Sequence, residues 1–211
     1  MVAFDLPGHG GSGEVQANLP ETATLLASAI EPSIVIGYSL GGRVALHLAL
    51  MHPELVHRLV LIGATGGIDT VEERSQRKID DDALALHIEK IGVDPFLEEW
   101  LSQPLFASLS PEQSFRNVRA QNSARGLSSS LRLSGTGTQE PLWDRLSELS
   151  MPVLSIAGAN DAKFIQIGHR IVESIGSNAT FQAIQHAGHS AQLEQPFTTA
   201  TAISEWLATT S

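Results

Sequence analysis

The run Ile34-Val-Ile-Gly-Tyr-Ser-Leu-Gly-Gly-Arg43 constrains the fold more than any other stretch of the 211 residues. Its β-branched start reads as a buried strand, and residues 40–51 carry apolar side chains at helical spacing up to His52-Pro53. A strand that turns into a helix across Gly37-Tyr-Ser-Leu-Gly41 is a nucleophile elbow. The two glycines permit a sharp turn that lifts the Ser39 hydroxyl above the edge of a sheet. The Leu40 N–H, at the helix start, then faces any anion that develops there.

Short apolar segments at 2–4, 34–36, 59–62, 153–157 and 180–184 read as buried strands, each ended by turn residues. Helical patterns lie between them, and 196–207 forms a terminal amphipathic helix with Pro196 in its first turn. Strands alternating with helices predict a parallel sheet covered on both faces. Residues 66–149 break this rhythm: no strand is evident, and helices are expected at 71–91, 95–101, 111–124 and 127–133. The chain therefore divides into a core, 1–65 with 150–211, and a helical insert, 66–149, placed where a lid over a site would sit.

A serine at an elbow needs a base, and the base needs an orienting acid, in the chain order Ser, Asp or Glu, His. Asp161 follows the strand at 153–157, and His189 follows the strand at 180–184. Both fall at C-terminal strand ends, the sheet edge where Ser39 lies. His186 competes with His189, which is favoured because Gly188 precedes it and Glu194 and Pro196 follow before the last helix. The Gly- and Pro-rich start, Phe4-Asp-Leu-Pro-Gly-His-Gly-Gly-Ser12, is a loop; a phosphate cradle competes, but the Lys-Ser/Thr ending of a P-loop is missing.

Composition narrows the partners. A net charge of −10 argues against broad binding to nucleic acid or anionic membranes. The cations comprise ten Arg and only three Lys, and seven of those Arg lie between positions 74 and 145. Guanidinium groups fork onto carboxylates, so the bias points to an anionic small molecule, with solvated helix faces as the plainer reading. There is no cysteine, hence no disulfide framework or thiol chemistry. No apolar run approaches the ~20 residues needed to span a bilayer, and Met1-Val-Ala-Phe-Asp5 lacks a signal-peptide pattern, so a cytoplasmic location is expected. His52 and His57 form no metal-binding pattern and read as surface residues; neither a metal nor a cofactor is expected.

Taken together, Asp5-Leu-Pro-Gly-His-Gly-Gly-Ser, Gly37-Tyr-Ser-Leu-Gly-Gly-Arg, Trp100-Leu-Ser-Gln-Pro-Leu-Phe-Ala-Ser-Leu109, Gly135-Thr-Gly-Thr-Gln-Glu-Pro-Leu-Trp143 and Ala187-Gly-His resemble the 2-succinyl-6-hydroxy-2,4-cyclohexadiene-1-carboxylate synthase family. That family has the α/β-hydrolase fold and acts in menaquinone and phylloquinone biosynthesis. The resemblance implies a lyase that eliminates pyruvate from an enolpyruvyl-linked succinyl cyclohexene carboxylate, with Ser39 as general base served by His189 and Asp161. It implies a polycarboxylate substrate held by Arg43, by Arg77 and Arg119, and by Tyr38 and Trp100 lining the pocket. Arg74 and Arg116 compete with Arg77 and Arg119, because a helix shift of three residues keeps the same face. A monomer or small homo-oligomer is expected.

One departure stands out. The family begins with strands before the Asp5 segment, and one ends in a loop supplying the second oxyanion N–H; nothing here corresponds, so a truncated chain is expected. The alternatives are an esterase or C–C hydrolase on the same scaffold, and an inactive, truncated hydrolase-fold binding module.

Overall fold

The computed structural model describes residues 1–210 and holds a wholly parallel four-stranded sheet. Its strands are β1 (Ser33–Tyr38), β2 (Val56–Ile62), β3 (Val153–Gly158) and β4 (Ala179–Ile184), side by side in that order. The helices are α1 (Leu19–Ala27), α2 (Leu40–Met51), α3 (Val71–Ile91), α4 (Val93–Leu101), α5 (Arg116–Arg119), α6 (Ala124–Ser134), α7 (Ala162–Ile175), α8 (Ala191–Glu194) and α9 (Pro196–Thr209). The expected parallel sheet flanked by helices is what the chain forms. No helix among the described residues is long and apolar enough to cross a membrane.

Alternation along the central strands sorts the core into two layers. Leu59 and Leu61 of β2 and Val153 of β3 pack with Leu46 and Leu48 of α2 and Ile171 of α7. Val60, Ile62, Leu154 and Ile156 point the other way, toward Trp206 of α9. Each such side chain, fully buried, contributes up to ~1.5–3 kcal/mol. Both faces being covered explains why Leu59–Ile62 of β2 and, apart from the buried Ser155, Val153–Ala157 of β3 are apolar on successive positions rather than alternating.

Local chemistry sets the helix ends. Asn18 and Glu21 form a capping box on α1, Thr70 caps α3, and Gly92, at φ 81°, ends α3. Helices α3, α4 and α6 share a separate apolar cluster of Ile88, Phe96 and Leu97 with Leu127 and Leu131.

Two expected elements differ. Residues 2–4 are not a strand: among the described residues they pair with none, and Val2 and Phe4 are exposed. Extended backbone is stable in a sheet only with ladder partners, and a three-residue apolar run names none. Among the described residues β1 bonds only to β2, leaving Ile34 and Ile36 nearly half exposed. The helix expected at 111–124 is also interrupted. Ser110 N–H donates to Gln113 Oε1, and Gln113 N–H donates back to Ser110 Oγ, so side chains take over backbone partners there. Phe115 then turns left-handed, at φ 49°, and only Arg116–Arg119 is helical.

Candidate active site

The elbow is strained as its sequence requires. Ser39 sits at φ 49°, ψ −109°, a conformation that L residues seldom adopt. Its N–H donates to the Ile62 carbonyl at 2.9 Å, tying the turn to the end of β2. Close approach dictates glycine at two positions: a Cβ on Gly37 would lie 2.4 Å from the Gly41 oxygen, and one on Gly42 would lie 2.5 Å from Ala64 Cβ. Gly41 itself has open space where a Cβ would go.

Three loops at the C-terminal ends of β1, β3 and β4 then meet. His189 Nε2 lies 3.3 Å from Ser39 Oγ, and His189 Nδ1 lies 3.1 Å from Asp161 Oδ2. The His189 ring is buried between Phe164 and Tyr38, with ring centroids 4.4 and 5.4 Å away. With Nδ1–H donating to Asp161, the lone pair on Nε2 is free to take the Ser39 proton. Asp161 also accepts the Phe164 N–H, capping α7. Burial alone would raise the Asp161 carboxyl; the His189 and Phe164 bonds and the nearby positive charges outweigh it and hold the group below its ordinary value. His186, the competing histidine, is exposed and points its backbone into the left-handed region at φ 59°.

Ser39 opens into a cavity of about 850 Å³, which Leu40, Tyr38, Arg43, Arg77, Trp100, Arg119 and His189 also line. Leu40 is the first residue of α2, where amides have no intrahelical acceptor. Arg43 is 8% exposed, and Nη1 donates to Gln139 Oε1 at 3.4 Å. Burial, then the Arg77 charge, lower its pKa to about 10, with Asp81 opposing, so Arg43 stays cationic at neutral pH. Arg77 Nε donates to the buried Asp81 carboxylate at 2.8 Å. Arg119 Nε donates to the Ser114 carbonyl at 2.8 Å, and its guanidinium lies over Phe106. Trp100 stacks between Phe96 and Phe106. Tyr38 OH shares a 2.7 Å hydrogen bond with Ser190 Oγ, and burial raises its pKa.

The competing arginines face elsewhere. Arg74 donates to the Ile68 and Asp69 carbonyls and pairs with Glu140. Arg116 pairs with Asp94 and Glu98. Sequence reasoning missed Gln139, Asp81, Phe164 and the buried His47. Gln139 lies inside the Gly135-to-Trp143 run, so its place in a motif was visible; its contact to Arg43, across 96 positions, was not.

The Alpha/beta hydrolase family model matches residues 1–202. The 2-succinyl-6-hydroxy-2,4-cyclohexadiene-1-carboxylate synthase of Salmonella paratyphi C is 30% identical over 201 residues, 92% of this chain and 77% of that protein. A Bacillus subtilis protein that provisionally bears the same name is 38% identical over 178 residues, 82% of this chain; the aligned span is 65% of that relative's length. Among solved structures, MenH from S. aureus superposes with a TM-score of 0.91 at 32% identity, covering 97% of this chain and 82% of that one. A thermophilic esterase from Thermogutta terrifontis, 24% identical, shares the fold at a TM-score of 0.79 over 97% of this chain and 78% of its own. With the family model spanning nearly the whole chain and synthase relatives matching most of it, the chain belongs to the α/β-hydrolase family and, within it, to the 2-succinyl-6-hydroxy-2,4-cyclohexadiene-1-carboxylate synthase family.

Proposed function

We propose that this chain is a carbon–oxygen lyase that eliminates pyruvate from 2-succinyl-5-enolpyruvyl-6-hydroxy-3-cyclohexene-1-carboxylate, with Ser39 as the base. The observation that carries the reading is the Ser39–His189–Asp161 relay, at 3.3 and 3.1 Å, opening into a cavity lined by Arg43, Arg77 and Arg119. The substrate's ring carbon beside the succinyl ketone holds an acidic hydrogen. His189 Nε2 accepts the Ser39 hydroxyl proton as Oγ removes that hydrogen. The electron pair becomes a new ring double bond, the existing one shifts along, and the C–O bond to the enolpyruvyl group breaks. The departing enolpyruvate regains a proton and leaves as pyruvate, so the step is balanced and consumes no water.

The remaining groups have matching roles. Charge developing on the ketone oxygen is placed beside the Leu40 N–H. Asp161 keeps His189 in the tautomer that accepts at Nε2 and steadies the imidazolium. The three arginines take the substrate's carboxylates, and Tyr38 and Trp100 wall the ring. Residues 66–149 supply Arg77, Trp100 and Arg119 from one helical unit with its own apolar cluster, as a lid does.

The test is pyruvate release in a coupled lactate dehydrogenase assay. Ser39→Ala should lower kcat by at least ~100-fold; full activity in that variant would overturn the mechanism. An esterase reading shares the same relay. It predicts rapid Ser39-dependent turnover of p-nitrophenyl acetate with an acyl-enzyme burst, which the lyase reading does not.

A further inference from the structure

The loop carrying His189 is gripped by a group that the elimination does not use. Glu194, the last residue of α8, is buried. Its Oε2 accepts the Gly188 N–H at 2.6 Å, and its Oε1 accepts the Ser190 N–H at 3.0 Å. These amides belong to the residues on either side of His189. Among the described residues the Glu194 carboxylate has no cationic partner within ion-pair distance. A buried carboxylate without a countercharge is costly unless amide donors satisfy it. Here two do, one on each oxygen. Glutamine could not replace it evenly: it has a single acceptor oxygen, and its NH₂ would face the second N–H.

Other bonds hold the loop around it: the Asn160 N–H donates to the Ala187 carbonyl at 2.9 Å. His186, three residues upstream of His189, already sits in the left-handed region at φ 59°. Ser190 Oγ is tied to Tyr38 OH, and Gln195 Nε2 donates to the His186 carbonyl at 3.3 Å. Neither bond touches the His189 backbone directly. The Nε2 to Ser39 Oγ distance, 3.3 Å, is already long for a hydrogen bond, so a small tilt of the ring breaks it.

We propose that Glu194 is a positioning residue: by clamping both amides that flank His189, it aims Nε2 at Ser39 Oγ. The inference rests on His189 being the base that serves Ser39, and not on which substrate the cavity takes. A displacement of about 1 Å in such a group costs on the order of 100-fold in rate.

Two measurements on Glu194→Gln separate positioning from mere structural support. One is the kcat and KM of pyruvate release. The other is the rate at which a fluorophosphonate phosphonylates Ser39, which needs His189 but no particular substrate. The expected result is a kcat lowered about 10- to 100-fold with KM within about twofold, and phosphonylation slowed in step. Glu194→Asp, which keeps two acceptor oxygens on a shorter arm, should recover part of both rates. A Gln variant that keeps the wild-type kcat and the wild-type phosphonylation rate, both measured at a temperature well below its Tm, would overturn the clamp, even if that Tm were lowered. If no pyruvate forms even in the wild type but phosphonylation slows as stated, the clamp stands and the lyase reading fails. Should the Gln variant not fold, amide exchange in the wild-type protein decides: protected Gly188 and Ser190 N–H groups support the clamp, and fast exchange at both refutes it.

Discussion

Arg43 is one helical turn past Ser39 and almost completely buried, yet among the described residues its one side-chain bond is a 3.4 Å contact to Gln139. A guanidinium carries five donors, so most of its capacity is turned toward the cavity. We expect Arg43→Ala to raise KM, or to lower kcat/KM, by about 10- to 100-fold, the worth of a charged hydrogen bond or two. Arg43→Lys should recover little, because an ammonium cannot fork onto a carboxylate. Steady-state kinetics of pyruvate release check both, and unchanged constants in the alanine variant would remove Arg43 from substrate binding.

At the scale of elements, the turn from β1 into α2 is governed by packing more than by its pattern. Gly37 and Gly42 are pressed against backbone and Ala64, whereas Gly41, the second glycine of the Gly-x-Ser-x-Gly run, has room for a side chain. Gly42→Ala should therefore destabilise the fold by about 1–3 kcal/mol, the usual cost of overpacking. Gly41→Ala should leave the denaturant midpoint nearly unchanged, since extra volume there meets only the cavity. Equal midpoints for the two variants would show that the turn relaxes more than its contacts suggest. The motif's spelling identifies the element, and which glycine is structurally obligatory depends on what crosses behind it.

For the whole molecule, the buried His47 of α2 couples stability to pH. Burial, then the charges of Arg43 and Arg145, depress its pKa to about 4. The unfolded chain takes up that proton near its ordinary value of 6.5, so between pH 6.5 and about 4 the unfolded state binds more protons. Stability is therefore full above pH 6.5 and falls as the pH drops toward 4. Thermal unfolding should show Tm declining across that window, and His47→Gln should flatten the decline; an identical slope in the variant would assign it to the carboxylates instead.

The sequence by itself determined what short-range physics writes into neighbouring residues. The elbow at Ser39, the acid and base after the third and fourth strands, and the long helix Val71–Ile91 all follow from periodicity, turn chemistry and chain order. The preference for Arg77 and Arg119 over Arg74 and Arg116 rests on resemblance alone, because positions three apart share a helix face. The tertiary structure decided which guanidinium groups reach the cavity, that His189 and not His186 meets Ser39, and that Gln139 and Asp81 stand behind the arginines. It also decided that residues 2–4, apolar enough for a strand, pair with no strand among the described residues. The physical reason is the same throughout. Propensity and capping act within a turn or two of chain, whereas ladder partners, buried countercharges and cavity walls come from segments tens to more than a hundred residues away.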